Sequence, residues 1–480
     1  MATASAPRHQ TENPQPLAAV SHRNPIASNP IVPKKFVRLT LWPLVAATFF
    51  MVSGGTYGTE EIVHGAGYGR GILILMLTPL LWSLPTAFMI GELSSALPYE
   101  GGYYAWVRRA MGNFWGFQEA WLSLVASIFD MAIYPTLFVA YLTRMFPWFS
   151  VNNRGWWVAL AVVVACAILN IAGVKVVSLT SLWLFFALSA PFVAIVLLAP
   201  FKMGALANAV TKPTTSSVDI LGGLLICMWN YMGWDNASTI ATEVEKPQRT
   251  YPRAMLVAVA IVALSYVLPF AAMWMTGLTS SAWETGSWAD IAGLLGGPLL
   301  RIGVVLGGVI SAFGMFNALV MSYSRLPLAM AQDGMLPGIF AKLQKKSRAP
   351  WVAIIALAIC WAMCLGLGFA RLVTLDILLY GFSLLLEFMA LVVLRFREPE
   401  LARPFRVPGG LFGAIAIGIP PMLLLGFSIF RSEHEQVWNM SSFAFGMILI
   451  AAGFVAYFVN HALKPQGWAV ASQPKAEPAA

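Results

Sequence analysis

Backbone N–H and C=O groups cannot go unpaired in hydrocarbon, so an irregular stretch at membrane depth survives only beside protein or a water-lined cavity. Residues 221–254, LGGLLICMWNYMGWDNASTIATEVEKPQRTYPRA, strain that rule. An apolar run that starts across a bilayer is interrupted at Trp229-Asn230-Tyr231-Met232-Gly233-Trp234-Asp235-Asn236, resumes briefly, and leaves through Glu243 into a basic, proline-marked segment. A membrane helix broken in its middle has something to bind. Asp235 sits within the break, and an ionisable group at that depth points to function by default.

The chain is 59% hydrophobic and 11% charged over 480 residues, which excludes an ordinary soluble domain and indicates a polytopic, all-α membrane protein. With about 20 apolar residues per crossing, the sequence predicts twelve spans, at roughly 38–66, 71–97, 113–146, 155–172, 177–200, 218–242, 251–276, 299–330, 350–369, 372–394, 410–430 and 438–462. Residues 1–36 and 464–480 read as cytoplasmic tails, the first polar and disordered, without the apolar centre of a secretory signal. Placing both termini in the cytoplasm leaves most of the 30 Lys and Arg on that side, including Lys246, Arg249, Arg253, Arg403 and Arg406, as the positive-inside rule favours. The segment 280–297 predicts a short external helix, and 101–112 a cytoplasmic re-entrant or surface helix.

The first span carries a second interruption, Ser53-Gly54-Gly55-Thr56-Tyr57-Gly58-Thr59-Glu60-Glu61. Glycines permit backbone shapes that a helix forbids and would present amides and carbonyls to a ligand near the bilayer centre. Five spans separate the two breaks. That is the spacing of two inverted-topology repeats, about 38–200 and 218–394, each opening with a discontinuous helix, followed by two further helices at 410–462.

The predicted spans hold an excess of carboxylates with almost no interior Lys or Arg to neutralise them: Glu60, Glu61, Glu119, Asp130, Asp235 and Glu387. Glu119 and Asp130 are eleven residues apart, close to three helical turns, so they share a face with Tyr134. This asymmetry predicts a cationic ligand, a transported proton, or both. Tyr57, Trp229, Tyr231 and Trp234 flank the breaks and are placed to add cation–π attraction. Asp130, Glu60 and Asp235 are the first candidates for direct contact, with the backbone from Ser53 to Gly58. Glu61, Glu119 and Glu387 are candidates for proton coupling or gating. At the cytoplasmic mouth Glu92 and Glu243 are gate or helix-tying candidates, the latter with Arg249 or Arg253.

Other classes fit less well. The net charge of +9 is spread between apolar spans rather than gathered in a patch, so no nucleic-acid partner is expected. Cys166, Cys227, Cys360 and Cys364 lie in apolar runs without metal-ligand spacing, and there is no HExxH, GxSxG or phosphate-cradling Gly-rich motif, so neither a metal, a cofactor nor an enzyme is expected. A nutrient sensor would usually need an output domain, for which the tails are short.

Further stretches carry a resemblance. Residues 91–107, GELSSALPYEGGYYAWV, 242–254, TEVEKPQRTYPRA, 323–337, YSRLPLAMAQDGMLP, and 403–408, RPFRVP, together with the Gly-Gly break, resemble the amino acid–polyamine–organocation transporter superfamily over about residues 38–462. Within it FWGFQE at 114–119, Asp130 with Tyr134-Pro135, and Leu386-Glu387-Phe388 resemble the polyamine-uptake branch, from which Pro85-Thr86 and Asp130-Met131 depart. The resemblance implies a LeuT-type 5+5 inverted repeat in a single transporter domain over 37–463. It also implies proton-coupled import of polyamines across a plasma or bacterial inner membrane. An amino acid substrate, its carboxylate held by amides around Ser53–Gly58, is the alternative.

Overall fold

The computed structural model describes residues 39–99, 101–173, 177–209, 218–437 and 439–463. The expected tails therefore lie outside the described residues. In chain order the helices are α1 (Leu41–Val52), α2 (Glu60–Thr78), α3 (Leu84–Ala96), α4 (Gly102–Met111), α5 (Asn113–Met145), α6 (Arg154–Ala172), α7 (Val177–Leu198) and α8 (Ile220–Asn230). They continue with α9 (Pro247–Met275), α10 (Trp288–Gln332), α11 (Trp351–Met363), α12 (Phe369–Arg397), α13 (Gly410–Ala416), α14 (Ile419–His434) and α15 (Ser442–Leu463). The described β structure is a hairpin of two residues per strand, Gln436–Val437 against Met440–Ser441, and one parallel bridge from Leu39 to Val244.

Among the described residues, nine helical stretches are long and apolar enough to cross a bilayer, and α1 and α11 are shorter apolar helices. Their outward faces carry exposed Leu73, Ile168, Leu197, Leu306, Phe427 and Val455, the surface that lipid tails would cover. Most sequence boundaries are reproduced within a few residues. Where they differ, glycine and proline explain it. The first two expected spans are joined through α2, which is kinked at Gly67 (φ 75°) and runs through a π turn at Pro79–Ser83 into α3. The expected external helix and eighth span form one element, α10, kinked at Gly297 (φ 75°). The ninth expected span shortens to α11, with Gly368 (φ +82°) opening α12, and the eleventh divides into α13 and α14 ahead of Pro420.

The two interruptions are real breaks in the backbone. α1 stops at Val52, and the chain passes through Gly54 (φ +57°), Gly55 (φ +107°) and Gly58 (φ +82°) before α2 begins. α8 stops at Asn230, and after Gly233 (φ +86°) residues Trp234–Glu243 continue as a 3-10 helix. A side chain in the left-handed region would be strained, so glycine is needed at these turns. The freed backbone groups find partners. Asn230 Nδ2 donates to the Gly58 carbonyl at 3.3 Å and Tyr266 to the Asn230 carbonyl at 2.9 Å, while the side chains of the break residues Tyr231 and Thr56 donate to carbonyls within α2 (Leu75, 2.9 Å) and α9 (Ser265, 2.8 Å).

α5 lies at the centre and packs most extensively against α10 and α12. One end of the bundle is tied by ion pairs. Glu92 of α3 is wholly buried and accepts from Arg395 Nε (2.9 Å) and Nη2, from the Val407 amide (2.7 Å), and lies 3.3 Å from Arg403. Beside it Arg109 grips Glu398 with two bonds, and Asp333 takes Arg108 and the Tyr104 hydroxyl. Burial and then the Asp333 charge hold the Tyr104 phenol far above its ordinary pKa, so it stays a donor.

Breaking one partner of a buried pair leaves the other charge uncompensated, at about 3–5 kcal/mol. Glu92→Gln, which leaves the buried guanidiniums of Arg395 and Arg403 facing a neutral amide, is expected to lower stability by that order, measured as the denaturation midpoint in detergent.

Candidate functional site

Between the two breaks lies a cavity of ≈ 10 Å³, room for about one water. Val52, Ser53 and Tyr57 line it from the first break, Trp229 and Asn230 from the end of α8, Tyr134 and Leu137 from α5, and Gly308, Ser311, Ala312 and Met315 from α10. The tight fit depends on small residues. A Cβ on Gly307 would strike the Tyr57 hydroxyl, and one on Gly308 the Tyr141 ring.

Asp130 sits against this wall and is 4% exposed. Its Oδ1 accepts from Tyr134 (3.0 Å) and from Trp229 Nε1 (3.2 Å), and its Oδ2 from Tyr323 of α10 (3.2 Å). Three neutral donors therefore hold a carboxylate that has no Lys or Arg beside it among the described residues. The next acid, Asp235, is buried in the second break and accepts from Tyr380 of α12 at 2.6 Å. Glu119 Oε1 lies 3.2 Å from the Ser123 hydroxyl and 2.5 Å from that of Ser383, and the two hydroxyls lie 2.9 Å apart, so two serine protons serve three contacts. Glu119 Oε2, both oxygens of Glu387 and Asp376 Oδ2 are buried with no hydrogen-bond partner among the described residues.

These acids form a ladder. Glu119 and Asp130 are eleven residues apart on α5, and Asp376 and Glu387 are eleven apart on α12. Asp376 lies in electrostatic reach of Asp130, and Glu387 of Glu119, so the two helices run opposite ways with two carboxyl rungs about 16 Å apart along the axis. Asp235 is felt by all four.

The other expected residues are distributed as follows. Ser53 and Tyr57 line the cavity, and Ser53 Oγ accepts from the Gly55 amide at 3.1 Å. The Gly54 carbonyl accepts from Ser311 at 2.6 Å. Tyr231 and Trp234 are fully buried and brace the break, with Trp234 Nε1 donating to the Tyr231 carbonyl at 2.7 Å. Glu60 is fully buried and accepts from Tyr141 and from the Gly286 amide (3.0 Å), not from the groups around Asp130. Glu61 accepts from the amide and hydroxyl of Thr285, both at 2.9 Å. Both acids thus fasten the segment before α10, which Arg144 also holds through Glu284 while pairing with Asp290 in the first turn of α10. The side chain of Glu243 lies outside the described residues; Arg249 and Arg253 are exposed and in no ion pair with a described residue.

Tyr141, Tyr323, Tyr380 and Asp376 are additions that the sequence reading lacked. Asp376 left a signal, an acid inside an apolar run at the same spacing from Glu387 as Glu119 from Asp130. The tyrosines left none, because a tyrosine in a membrane span is equally an interfacial anchor.

Comparison with known proteins follows the same lines. Residues 45–455 match the family model described as amino acid permease. The chain is 33% identical to the polyamine transporter RMV1 of Arabidopsis thaliana over 92% of both chains. It is also 33% identical to the polyamine transporter PUT1 of Oryza sativa subsp. japonica, over 87% of this chain and 78% of the relative. A more distant relative is the serine/threonine exchanger SteT of Bacillus subtilis (strain 168), 23% identical over 88% of this chain and 94% of its own length.

At Gly54 a Cβ would collide with Met315 Sδ and Ser311 Oγ in a left-handed backbone. Gly54→Ala is expected to cost about 1–3 kcal/mol through overpacking, seen as a lower denaturation midpoint. Gly69→Ala, where nothing lies within 4 Å, is the control expected to show no loss.

Proposed function

As the chain belongs to the amino acid permease family, within the amino acid–polyamine–organocation superfamily of transporters, we propose that it carries polyamine-like organic cations inward, coupled to protons. The observation that supports this most directly is the set of buried carboxyls, Asp130, Asp235, Asp376, Glu119 and Glu387, with no cationic side chain paired to any of them among the described residues. An unpaired buried carboxylate is costly. A cation that arrives from solution relieves it, and so does a proton. Two relatives of this chain carry the name polyamine transporter, and they guide the choice of substrate class.

In this reading one ammonium docks at Asp130. Trp229 and Tyr134 stand between that carboxylate and the cavity, so their rings meet the cation first and add cation–π attraction. Transport then proceeds by alternating access in a twelve-span, 5+5 inverted-repeat architecture with spans one and six broken. Both termini face the cytoplasm of a plasma or bacterial inner membrane. Glu60 and Glu61, with the segment they fasten, form the outer closure, and Glu92 with Arg395 the inner one.

An amino acid substrate uses the same cavity through the amides of the first break, and the exchanger relative keeps this second reading in play. Two of those amides are already engaged, Gly54 with the Phe49 carbonyl at 3.3 Å and Gly55 with Ser53 Oγ, which weighs toward the cation.

The test is uptake of labelled putrescine, spermidine, arginine and leucine into proteoliposomes, with and without an inward proton gradient. Gradient-dependent accumulation of the polyamines is expected, and accumulation of leucine alone overturns the cation reading. Asp130→Asn is expected to reduce polyamine uptake at sub-saturating concentration roughly 10- to 100-fold, the equivalent of losing a charge-assisted bond of about 1.5–3 kcal/mol. Wild-type uptake with unchanged apparent affinity in that variant removes Asp130 from the site.

A further inference from the structure

We propose that the coupling proton is carried at the Glu119–Glu387 rung, about three helical turns from Asp130, and that substrate and proton occupy separate rungs of one carboxyl ladder. The inference rests on the proton-coupled reading above and adds where the proton sits.

Glu387 is fully buried, and neither of its oxygens has a hydrogen-bond partner among the described residues. Glu119 is equally buried, with Oε1 within bonding distance of both serine hydroxyls while Oε2 has no hydrogen-bond partner among the described residues. The rung therefore offers three bare carboxyl oxygens across the α5–α12 interface. Such a pair is stable only when it holds positive charge between its members. Asp130 is bonded to Tyr134 and Trp229, which line the cavity, whereas neither Glu119 nor Glu387 reaches the cavity and Glu119 is bonded to Ser123 and Ser383, which do not line it. A proton is the one cation that needs no volume. Among the described residues no three His, Cys, Asp or Glu side chains converge as a ligand set, whereas a proton needs only one oxygen and an acceptor.

The titratable groups facing Glu387 are Glu119 from α5, Asp235 from the second break, Tyr103 from α4 and Tyr380 from its own helix. Farther along α12, Arg395 is already held by Glu92. Asp235 connects the rungs. It is bonded to Tyr380 and feels Asp130 on one side and the glutamates on the other. A cation docking at Asp130 changes the field at Asp235, and through it the proton affinity of the lower rung. The bound proton passes from one glutamate oxygen to water on the opening side, leaving the carboxylate; no other bond changes.

The experiment compares wild type, Glu387→Gln, Glu387→Asp and Ser383→Ala in proteoliposomes, using whichever of putrescine, spermidine, arginine or leucine the wild type accumulates. Proton influx is followed with an entrapped pH dye. The readouts are gradient-driven accumulation and gradient-free exchange of labelled for unlabelled substrate. Glu387→Gln is expected to lose accumulation and substrate-linked proton influx about tenfold or more while exchange stays within about twofold. Glu387→Asp is expected to restore part of the coupling. Ser383→Ala, which removes one donor from Glu119, is expected to displace the pH of half-maximal uptake with exchange intact. Proton-linked accumulation at the wild-type level in Glu387→Gln overturns the proposal, as does joint loss of exchange and accumulation in a folded variant. If Glu387→Gln does not fold, an unchanged pH profile in Ser383→Ala overturns it. Wild-type accumulation that ignores the proton gradient overturns the coupling reading itself, a separate outcome.

Discussion

Every part of this protein that touches the cavity depends on backbone groups at membrane depth finding partners. Two helices stop in the middle of the bundle, and the cost of their open ends would be several kcal/mol per unpaired group. The structure meets that cost by facing the breaks toward each other and sealing them with side chains from third parties. Asn230 at one break reaches the Gly58 carbonyl of the other, while Tyr266 and Thr56 tie both to α9. The cavity is what remains between two breaks so closed. Its walls are set by where glycine lets Tyr57 and Tyr141 approach α10.

The same economy of partners shapes the acids. Hydroxyl and indole donors surround Asp130, Asp235 and one side of Glu119, and these bonds hold the carboxyls in place without neutralising them. None of the three has a Lys or Arg paired to it among the described residues. Arginine appears where the opposite is needed: Glu92 is surrounded by Arg395 and Arg403, its charge fully compensated inside protein. Acids of similar burial thus divide by their partners: Glu92 has guanidiniums fixed beside it, whereas Asp130, Asp235 and Glu60 have neutral donors.

Both ends of the bundle are fastened around a cavity of about one water's volume. At one end Glu60 and Glu61 hold the segment before α10, and at the other the Glu92 and Arg108–Asp333 pairs join helices distant in sequence. The fastenings differ in kind. The first set uses a tyrosine, backbone amides and half-exposed charges, the second a buried multi-centre ion pair, so the first is the cheaper to open.

The sequence by itself determined that this is a helical membrane protein, where the chain is interrupted, and that the interior is acidic. Those properties are local: apolar run length, Gly-Gly at 54–55, Gly233 beside Asp235, and acids three turns apart are read from neighbours along one helix. Packing decided which acids meet and which donors reach them. Tyr323 comes to Asp130 from 193 residues away, Tyr380 to Asp235 from 145, and Ser383 to Glu119 from 264. Packing also turned Glu60 toward Tyr141 and Gly286, although its place in the first break had suggested the substrate site. A helical face can be written in a single stretch of sequence, but the partner of that face is fixed only when the helices pack, because contact across an interface depends on the crossing of two distant segments.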